Sequence, residues 1–348
     1  MNGKPLVSIV IPCLRERQHI RLALDSIVAQ DYPQERLEVL VVDGMSEDGT
    51  REIVEEFSLR YPFIRLLDNP KKITPAALNV GIQKAQGQII VRMDAHSTYE
   101  TDYVTRCERA LNEGKADVVG GVWRVVPESD SVFGRAVALA LSHPFGVGSA
   151  YYRIGRPTEQ KHVDAVPFGS YWKELFGRIG MFNEDVPRSE DVDFYRRVRA
   201  AGGDILLVPT IVAYYRARSN FSAFLKHSLQ NGFLVTYFLR NGTRAFYWRH
   251  LVPLVFVSAA LVSAGLALYN SVFVGLLLTV LGAYLLANIV ASLRIAVVRK
   301  EIRWVVVMPV VFSLLHCSYG LGSLWGLVRA LGSASRWRHL LSSGLLLV

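Results

Sequence analysis

The first two hundred residues alternate between two patterns. Short apolar runs are each followed by a stretch in which apolar residues recur at helical spacing. Leu6 to Pro12 reads as a buried strand stopped by Pro12, and Ile20, Leu24, Ile27 and Val28 set a helix between Glu16 and Gln30. Leu37 to Val42 predicts a second strand ending at Asp43-Gly44, and Arg51 to Arg60 a helix whose entry carries Glu47-Asp48, where the dipole favours acids. A third strand over Phe63 to Leu67 precedes a helix from Thr74 to Ala85, with Thr74 at the N-cap and Pro75 at the first helical position. Gly87 stops that helix, and Gln88 to Met93 is the fourth strand. A helix (Glu100 to Asn112), a strand (Asp117 to Val125) and a helix with a Gly-rich tail (Ser129 to Ser149) follow. Phe168-Gly169-Ser170-Tyr171 precedes a short helix, and Ser189, as N-cap, opens a helix with Glu190-Asp191 in its first turn that runs to about Ala201. This alternation implies an α/β fold on a doubly wound, mostly parallel sheet. Ligands of such sheets bind at the carboxyl ends of the strands. Three polar clusters fall there: Pro12 to Glu16, Asp43 to Asp48, and Asp94 to His96.

After Val208-Pro209 the pattern changes. Phe221 to Arg240 mixes Phe224, Leu225, Leu229, Phe233, Leu234 and Tyr237 with Lys226, His227 and Arg240, an amphipathic helix suited to a membrane interface. Apolar spans follow over Leu251–Tyr269, Ser271–Val298 and Trp304–Leu331, each long enough for ~30 Å of hydrocarbon, which takes about 20 residues. Pro309, His316, Gly320 and Gly322 leave open a broken or re-entrant course for the third. Arg240, Arg244 and Arg249 before span one, and Arg294, Arg299, Lys300 and Arg303 between spans two and three, belong on the cytoplasmic side. Arg336 and Arg338 fit that rule poorly if all three spans cross.

Charge sharpens the division. Residues 205–348 hold 13 Lys and Arg against the single acid Glu301, whereas residues 1–204 hold 26 against 29 acids. The basic residues bracket apolar runs, which favours anionic lipid over nucleic acid as the reason for the net charge of +9. Mean hydropathy is +0.25, high for a soluble enzyme. Cys13, Cys107 and Cys317 are scattered, forming neither a zinc motif nor a disulfide framework. Met1 to Pro5 is polar and Leu6 to Ile11 too short for a signal-peptide core, so no signal peptide is expected.

Asp94 and His96 sit one residue apart at a strand end, so their side chains point the same way and can share a divalent ion, Mn2+ or Mg2+. Such an ion would bridge diphosphate oxygens and take up charge on a leaving nucleoside diphosphate. Polar residues merely capping a strand are the competing reading. Asp43 is placed to hydrogen-bond a base or ribose, though an aspartate before glycine is also an ordinary turn residue. Glu16 and Asn79 are uninformative alone. Glu190-Asp191 suits a base for an acceptor hydroxyl, although two acids in a first helical turn are common without any function. No GxGxxG follows a strand and no GxxxxGK[ST] is present, which disfavours a Rossmann dehydrogenase or a P-loop enzyme.

Taken in order, several segments resemble a known family. They are Val7-Ser8-Ile9-Val10-Ile11-Pro12 with Glu16; Val41-Val42-Asp43-Gly44 with Ser46, Asp48, Gly49 and Thr50; Ala77, Asn79 and Gly81 with Ala85 and Gly87; Asp94-Ala95-His96; and Glu190-Asp191 with Asp193, Arg197 and Gly202. Residues 6–240 thereby resemble the family 2 inverting glycosyltransferases of the GT-A fold, most of all the bacterial succinoglycan-type exopolysaccharide glucosyltransferases with a membrane tail. The resemblance implies that Pro12 and Glu16 line a nucleotide pocket and that Asp43 contacts uracil. It further implies Asp94 on the ribose or metal side, His96 as metal ligand, Asp191 as catalytic base with Glu190 beside it, and Gly169 and Ser170 bordering the acceptor. Departures are Arg15 in place of an asparagine, His96 in place of a second aspartate, and no glycine in Asn69 to Thr74, where Lys71 takes over a phosphate contact. His227 to Gly232 replaces the Gln-x-x-Arg-Trp motif of processive synthases, which implies transfer of one sugar.

The expected organisation is a catalytic domain (1–215), an interfacial helix region (216–250) and a transmembrane region (251–348). The expected activity is metal-dependent, inverting, non-processive transfer of a hexose, glucose first, from a UDP-sugar to a polyprenyl-diphosphate-linked saccharide. It would take place at the cytoplasmic face of the inner membrane. Partners would be the UDP-sugar, the lipid-linked saccharide, membrane lipid and other polysaccharide-assembly proteins, with no nucleic acid. A polyprenyl-phosphate sugar synthase and a non-catalytic sugar-nucleotide-binding scaffold are the alternatives.

Overall fold

The structure is a computed structural model and describes residues 5–154, 158–237 and 247–332. The chain forms two compact units, Met1–Arg124 with Tyr151–Arg216, and Val125–Ala150 with Ala217–Val348. The segment Val125–Ala150 thus belongs with the apolar C-terminal part, although it lies within the expected catalytic stretch.

Up to residue 127 the order is β1 (Val7–Cys13), α1 (Ile20–Val28), β2 (Leu37–Asp43), α2 (Thr50–Arg60), β3 (Ile64–Asp68), α3 (Thr74–Lys84), β4 (Ile89–Arg92), β5 (Ser97–Tyr99), α4 (Tyr103–Asn112) and β6 (Val118–Pro127). Helices α5 (Val132–Ala140) and α6 (Pro144–Val147) come next. The chain then continues through β7 (Lys161–His162), β8 (Ser170–Trp172), α7 (Leu175–Ile179), α8 (Glu190–Ala200) and β9 (Ile205–Ala217). One sheet holds the nine strands of the described residues in the order β3-β2-β1-β4-β8-β6-β9-β5, with β7 also on β9. The first four are parallel, as the sequence predicts. β8 runs antiparallel to β4 and β6, and β5 and β7 antiparallel to β9, so the sheet is mixed.

Two details depart from the sequence reading. β1 does not stop at Pro12 but continues to Cys13, opposite Asp43. β4 has ended by then, its Arg92 pairing with Val10, so the N–H that proline lacks costs the ladder nothing on that side. β9 was not expected, because Pro209 interrupts its apolar run. Its edge is shared by two short strands: β7 reaches only Leu206–Leu207 and β5 only Ala213–Tyr215, which leaves Pro209 in the gap between them.

Both faces of the parallel sheet are covered. Val7, Ile9 and Ile11 pack with Ile20, Leu24, Phe57, Tyr103 and Leu111, while Val10, Leu40 and Val42 pack with Leu78, Ile82, Phe194 and Val198. A sheet buried on both faces explains why its strands read as continuous apolar runs.

In the second unit, α9 (Phe221–Tyr237) is followed by α10 (Val252–Ala267), α11 (Val272–Arg299) and α12 (Trp304–Gly332). Among the described residues three helical stretches are long and apolar enough to cross a membrane: Trp248–Ala267, Val272–Arg299 and Trp304–Leu331. α12 is one unbroken helix with Pro309 inside it, so the broken or re-entrant course is set aside. α10 and α11 expose many large apolar side chains, among them Val255, Val262, Leu278, Leu286 and Val298, the surface a lipid solvent accommodates. α9 lies backbone to backbone on α12. A Cβ at Gly232 would fall 1.9 Å from the Tyr319 carbonyl oxygen, one at Gly322 2.0 Å from that of Leu229, and one at Gly326 2.2 Å from that of Phe233. Gly322 and Gly326 form the GxxxG spacing that lets apolar helices approach this closely. Arg240, Arg244, Arg336 and Arg338 lie outside the described residues.

Candidate active site

The loops after β1 and β2 fix each other. Arg15 has a left-handed backbone (φ 56°), and its N–H donates to Ser46 Oγ at 2.8 Å. The Glu16 N–H donates to Thr50 Oγ1 at 2.9 Å and the Arg17 N–H to Asp48 Oδ2 at 3.3 Å. Ser46 is oriented in turn by Asp43, which accepts from its N–H (2.7 Å) and its hydroxyl (2.6 Å), and from Arg51 Nη1 at 3.2 Å. Asp43 is 0% exposed and works here as the organiser of both loops. A uracil contact would require the Ser46 and Arg51 arrangement over it to open. Pro12, the penultimate residue of β1, is partly exposed.

Asp94 and His96 follow β4. The Asp94 N–H donates to the Tyr99 hydroxyl (2.6 Å), which donates to the Asp94 carbonyl oxygen (3.2 Å), so β5 fixes the turn. His96 Nδ1 meets Glu16 Oε1 at 3.1 Å, and His19 Nδ1 meets Glu16 Oε2 at 3.0 Å. Burial would raise the Glu16 carboxyl, but its hydrogen bonds to His19 and His96 hold it down at about 2. Glu16 is therefore a carboxylate at neutral pH, placed to accept a hydrogen bond from His96 Nδ1. A carboxylate behind an imidazole is the arrangement that orients a metal-ligating histidine. Among the described residues no three His, Cys, Asp or Glu side chains converge as a ready-made cage. The donor set fits an ion held by Asp94 and His96 together with substrate phosphate oxygens, as Mg2+ and Mn2+ often are.

The other half of the site is joined to this one by a residue that sequence reasoning passed over. Arg92 closes β4, and its side chain is 12% exposed. Its Nε donates to Asp94 Oδ1 at 3.1 Å and its Nη1 to Glu190 Oε1 at 2.8 Å. One guanidinium thus joins the turn after β4 to the first turn of α8. The only signal in the sequence was a lone cation ending an apolar strand. Burial, reinforced by the mutual repulsion of the two groups, raises the Glu190 carboxyl above the usual range, and burial likewise raises Asp191; Arg92 opposes both shifts. Glu190 is buried and committed to Arg92, whereas Asp191 is partly exposed and accepts the Val192 N–H at 2.8 Å.

Other expected site residues have partners within the protein. Asn79 is buried, its amide exchanging hydrogen bonds with the Phe182 backbone and donating to Glu184, so it ties α3 to the loop before α8. Lys71 pairs with the same Glu184 at 2.5 Å. Ser170 is 0% exposed on β8, opposite Val91 and Val119, and lines no open pocket. Gly169 lies beside the site, its carbonyl accepting the Arg92 N–H at 3.1 Å. A Cβ there would fall 2.2 Å from the Tyr171 hydroxyl, which accounts for the glycine. Ser189 stands at the N-cap position of α8 but makes no side-chain cap, because its left-handed backbone (φ 59°) is not the extended conformation such a bond requires. Of the six non-glycine residues with positive φ among the described residues, Arg15, Met45, Lys72, Phe168 and Ser189 lie in loops of this unit. Strain of this kind concentrates at functional sites.

Residues 8–180 match the model of glycosyl transferase family 2. A dolichyl N-acetyl-alpha-D-glucosaminyl phosphate 3-beta-D-2,3-diacetamido-2,3-dideoxy-beta-D-glucuronosyltransferase of Methanococcus voltae is 26% identical over 331 residues, covering 93% of this chain and 97% of that protein. The succinoglycan biosynthesis protein ExoA of Rhizobium meliloti (strain 1021) is 33% identical over 214 residues, 60% of this chain and 62% of that one. The mannosyltransferase PcManGT of Pyrobaculum calidifontis, solved with GDP-Man and Mn2+, superposes with a TM-score of 0.61 at 21% identity, over 93% of this chain and 88% of that chain. The fold is GT-A-like, with candidate membrane helices at its C-terminal end. The chain belongs to glycosyl transferase family 2.

Proposed function

We propose that the chain is a membrane-anchored, inverting, non-processive hexosyltransferase that moves one sugar, glucose first among the candidates, from a UDP-sugar to a hydroxyl of a polyprenyl-diphosphate-linked saccharide. The observation that carries this reading is the Arg92 bridge, which sets a metal-side carboxylate, Asp94, and Glu190, the chain neighbour of Asp191, on one guanidinium. Asp191 takes the proton of the acceptor hydroxyl as its oxygen attacks the anomeric carbon from the face opposite the diphosphate. The bond from that carbon to the diphosphate oxygen breaks, and the nucleoside diphosphate leaves. Glu190 and Arg92 hold Asp191 in place. Pro12 and Glu16 border the nucleotide, and Asp94 and His96 would hold Mn2+ or Mg2+, which would supply positive charge to the leaving diphosphate. The lipid-linked acceptor is supported by the name of the Methanococcus voltae relative and by the three apolar helices. Arg249, Arg299, Lys300 and Arg303 at helix ends support, through the positive-inside rule, a catalytic unit on the cytoplasmic side of the inner membrane.

Asp94→Asn tests the metal side. Titration of UDP into the full-length protein is expected to show Mn2+-dependent binding in the wild type and to lose at least tenfold of that metal enhancement in the variant. Undiminished metal-dependent binding would remove Asp94 from the site.

A further inference from the structure

Close to His96 lies a second cluster that the transfer step does not use. Trp123 of β6 stacks on Tyr215 of β9, with centroids 4.5 Å and planes 6° apart. Tyr152 meets Trp123 edge-on at 5.4 Å. The Arg153 guanidinium lies 4.5 Å from the Trp123 centroid, 5.5 Å from that of Tyr152 and 5.7 Å from that of Tyr215. Tyr215 also takes the edge of the His96 ring at 5.9 Å, so one tyrosine touches both the metal-side histidine and the arginine platform.

Aromatic faces fix a guanidinium without neutralising it. None of the cluster's members is acidic. Arg153 Nε and Trp123 Nε1 are both buried, and neither has a hydrogen-bond partner among the described residues. Two desolvated N–H donors beside one another, one of them on a cation, are costly unless an acceptor meets them. A tetrahedral oxyanion suits such a pair, since the planar arginine fork matches phosphate oxygens.

We propose that Arg153 and Trp123 form an anion subsite for the phosphate of the acceptor's lipid carrier. This rests on the reading of the acceptor as lipid-linked. The donor's diphosphate would find its countercharge in the divalent ion that Asp94 and His96 would hold. The chain, moreover, leaves the catalytic unit after Arg124 and Arg216 and re-enters it at Tyr151, so each segment supplying the cluster is within a few residues of a connection to the apolar unit.

The test is calorimetric titration of the full-length protein in phosphatidylcholine nanodiscs with farnesyl phosphate, farnesol, inorganic phosphate, and UDP with Mn2+. R153Q is expected to lower farnesyl phosphate affinity at least tenfold. W123F, which keeps the stack but deletes the indole N–H, is expected to lower it severalfold. Farnesol binding should change in neither, and inorganic phosphate should compete weakly in the wild type. Farnesyl phosphate affinity within twofold of wild type in R153Q would overturn the proposal. So would a loss of UDP affinity by the same factor, which would assign the guanidinium to the donor. If R153Q does not fold, R153K, which keeps charge but loses the fork, takes its place, with at least a threefold loss expected and an unchanged affinity overturning the subsite. A wild type that binds no farnesyl phosphate yet transfers sugar to a soluble acceptor would instead defeat the lipid-acceptor reading, and the subsite with it.

Discussion

Asp191→Asn is expected to lower sugar transfer by about 10²–10⁴-fold, the range that removal of a general base spans, while UDP binding is retained. Of the two adjacent carboxylates, Glu190 is buried and bonded to Arg92 at 2.8 Å, so it is poorly placed to collect a proton from an incoming hydroxyl. Asp191 keeps part of its surface open at the start of α8. Burial holds its carboxyl above the usual range, which makes it a stronger base once ionised. Steady-state transfer rates beside UDP titrations in both proteins would check this. Near wild-type transfer with intact UDP binding would overturn the base assignment. It would favour an acceptor that needs no deprotonation, such as the phosphate oxygen of a polyprenyl phosphate.

Arg92→Met is expected to be the most damaging change to stability and activity together. The cation is nearly buried between Asp94 and Glu190, with Asp191 close by. Removing one member of a buried ion pair costs about 3–5 kcal/mol, because the remaining charge is left without compensation. The pH dependence has a definite sign. Arg92 lowers the affinity of Glu190 and Asp191 for protons, so its loss raises both further and leaves less of the base ionised at neutral pH. The acid limb of the pH–rate profile should therefore move to higher pH, with activity partly recovered by raising the pH. Arg92→Lys keeps the charge but cannot reach both carboxylates with one planar fork, and should fall between. A profile that does not move in Arg92→Met would show that the bridge leaves the base untouched.

The parallel half of the sheet was legible in the sequence because strands buried on both faces must be apolar throughout, and helices between them must be amphipathic. Val7 to Cys13, Leu37 to Asp43 and Ile89 to Arg92 follow that logic closely. The antiparallel half was hidden. β5, β7 and β8 have three, two and three residues, too few for any period to register, and Pro209 concealed β9. The membrane helices were legible from length and composition alone. At the site, the Asp94 and His96 spacing and the acids opening α8 could be found, since both are local. Their connection could not, because it runs through Arg92 and exists only after β4 and α8 are brought together. The internal ties of Asn79 and the burial of Ser170 were hidden for a different reason. A polar residue buried to tie two elements looks, in sequence, like one offered to a ligand.

Nucleotide release tests the central claim most directly. Full-length protein in nanodiscs would be given a panel of nucleotide sugars with a polyprenyl-linked glycolipid fraction, with and without Mn2+ or Mg2+. The expected result is release of UDP from a single UDP-hexose that requires both the lipid fraction and the divalent ion, with a β-linked product carrying one added sugar. UDP release that proceeds equally well without the lipid fraction, or tight UDP binding with no release from any donor, would contradict it.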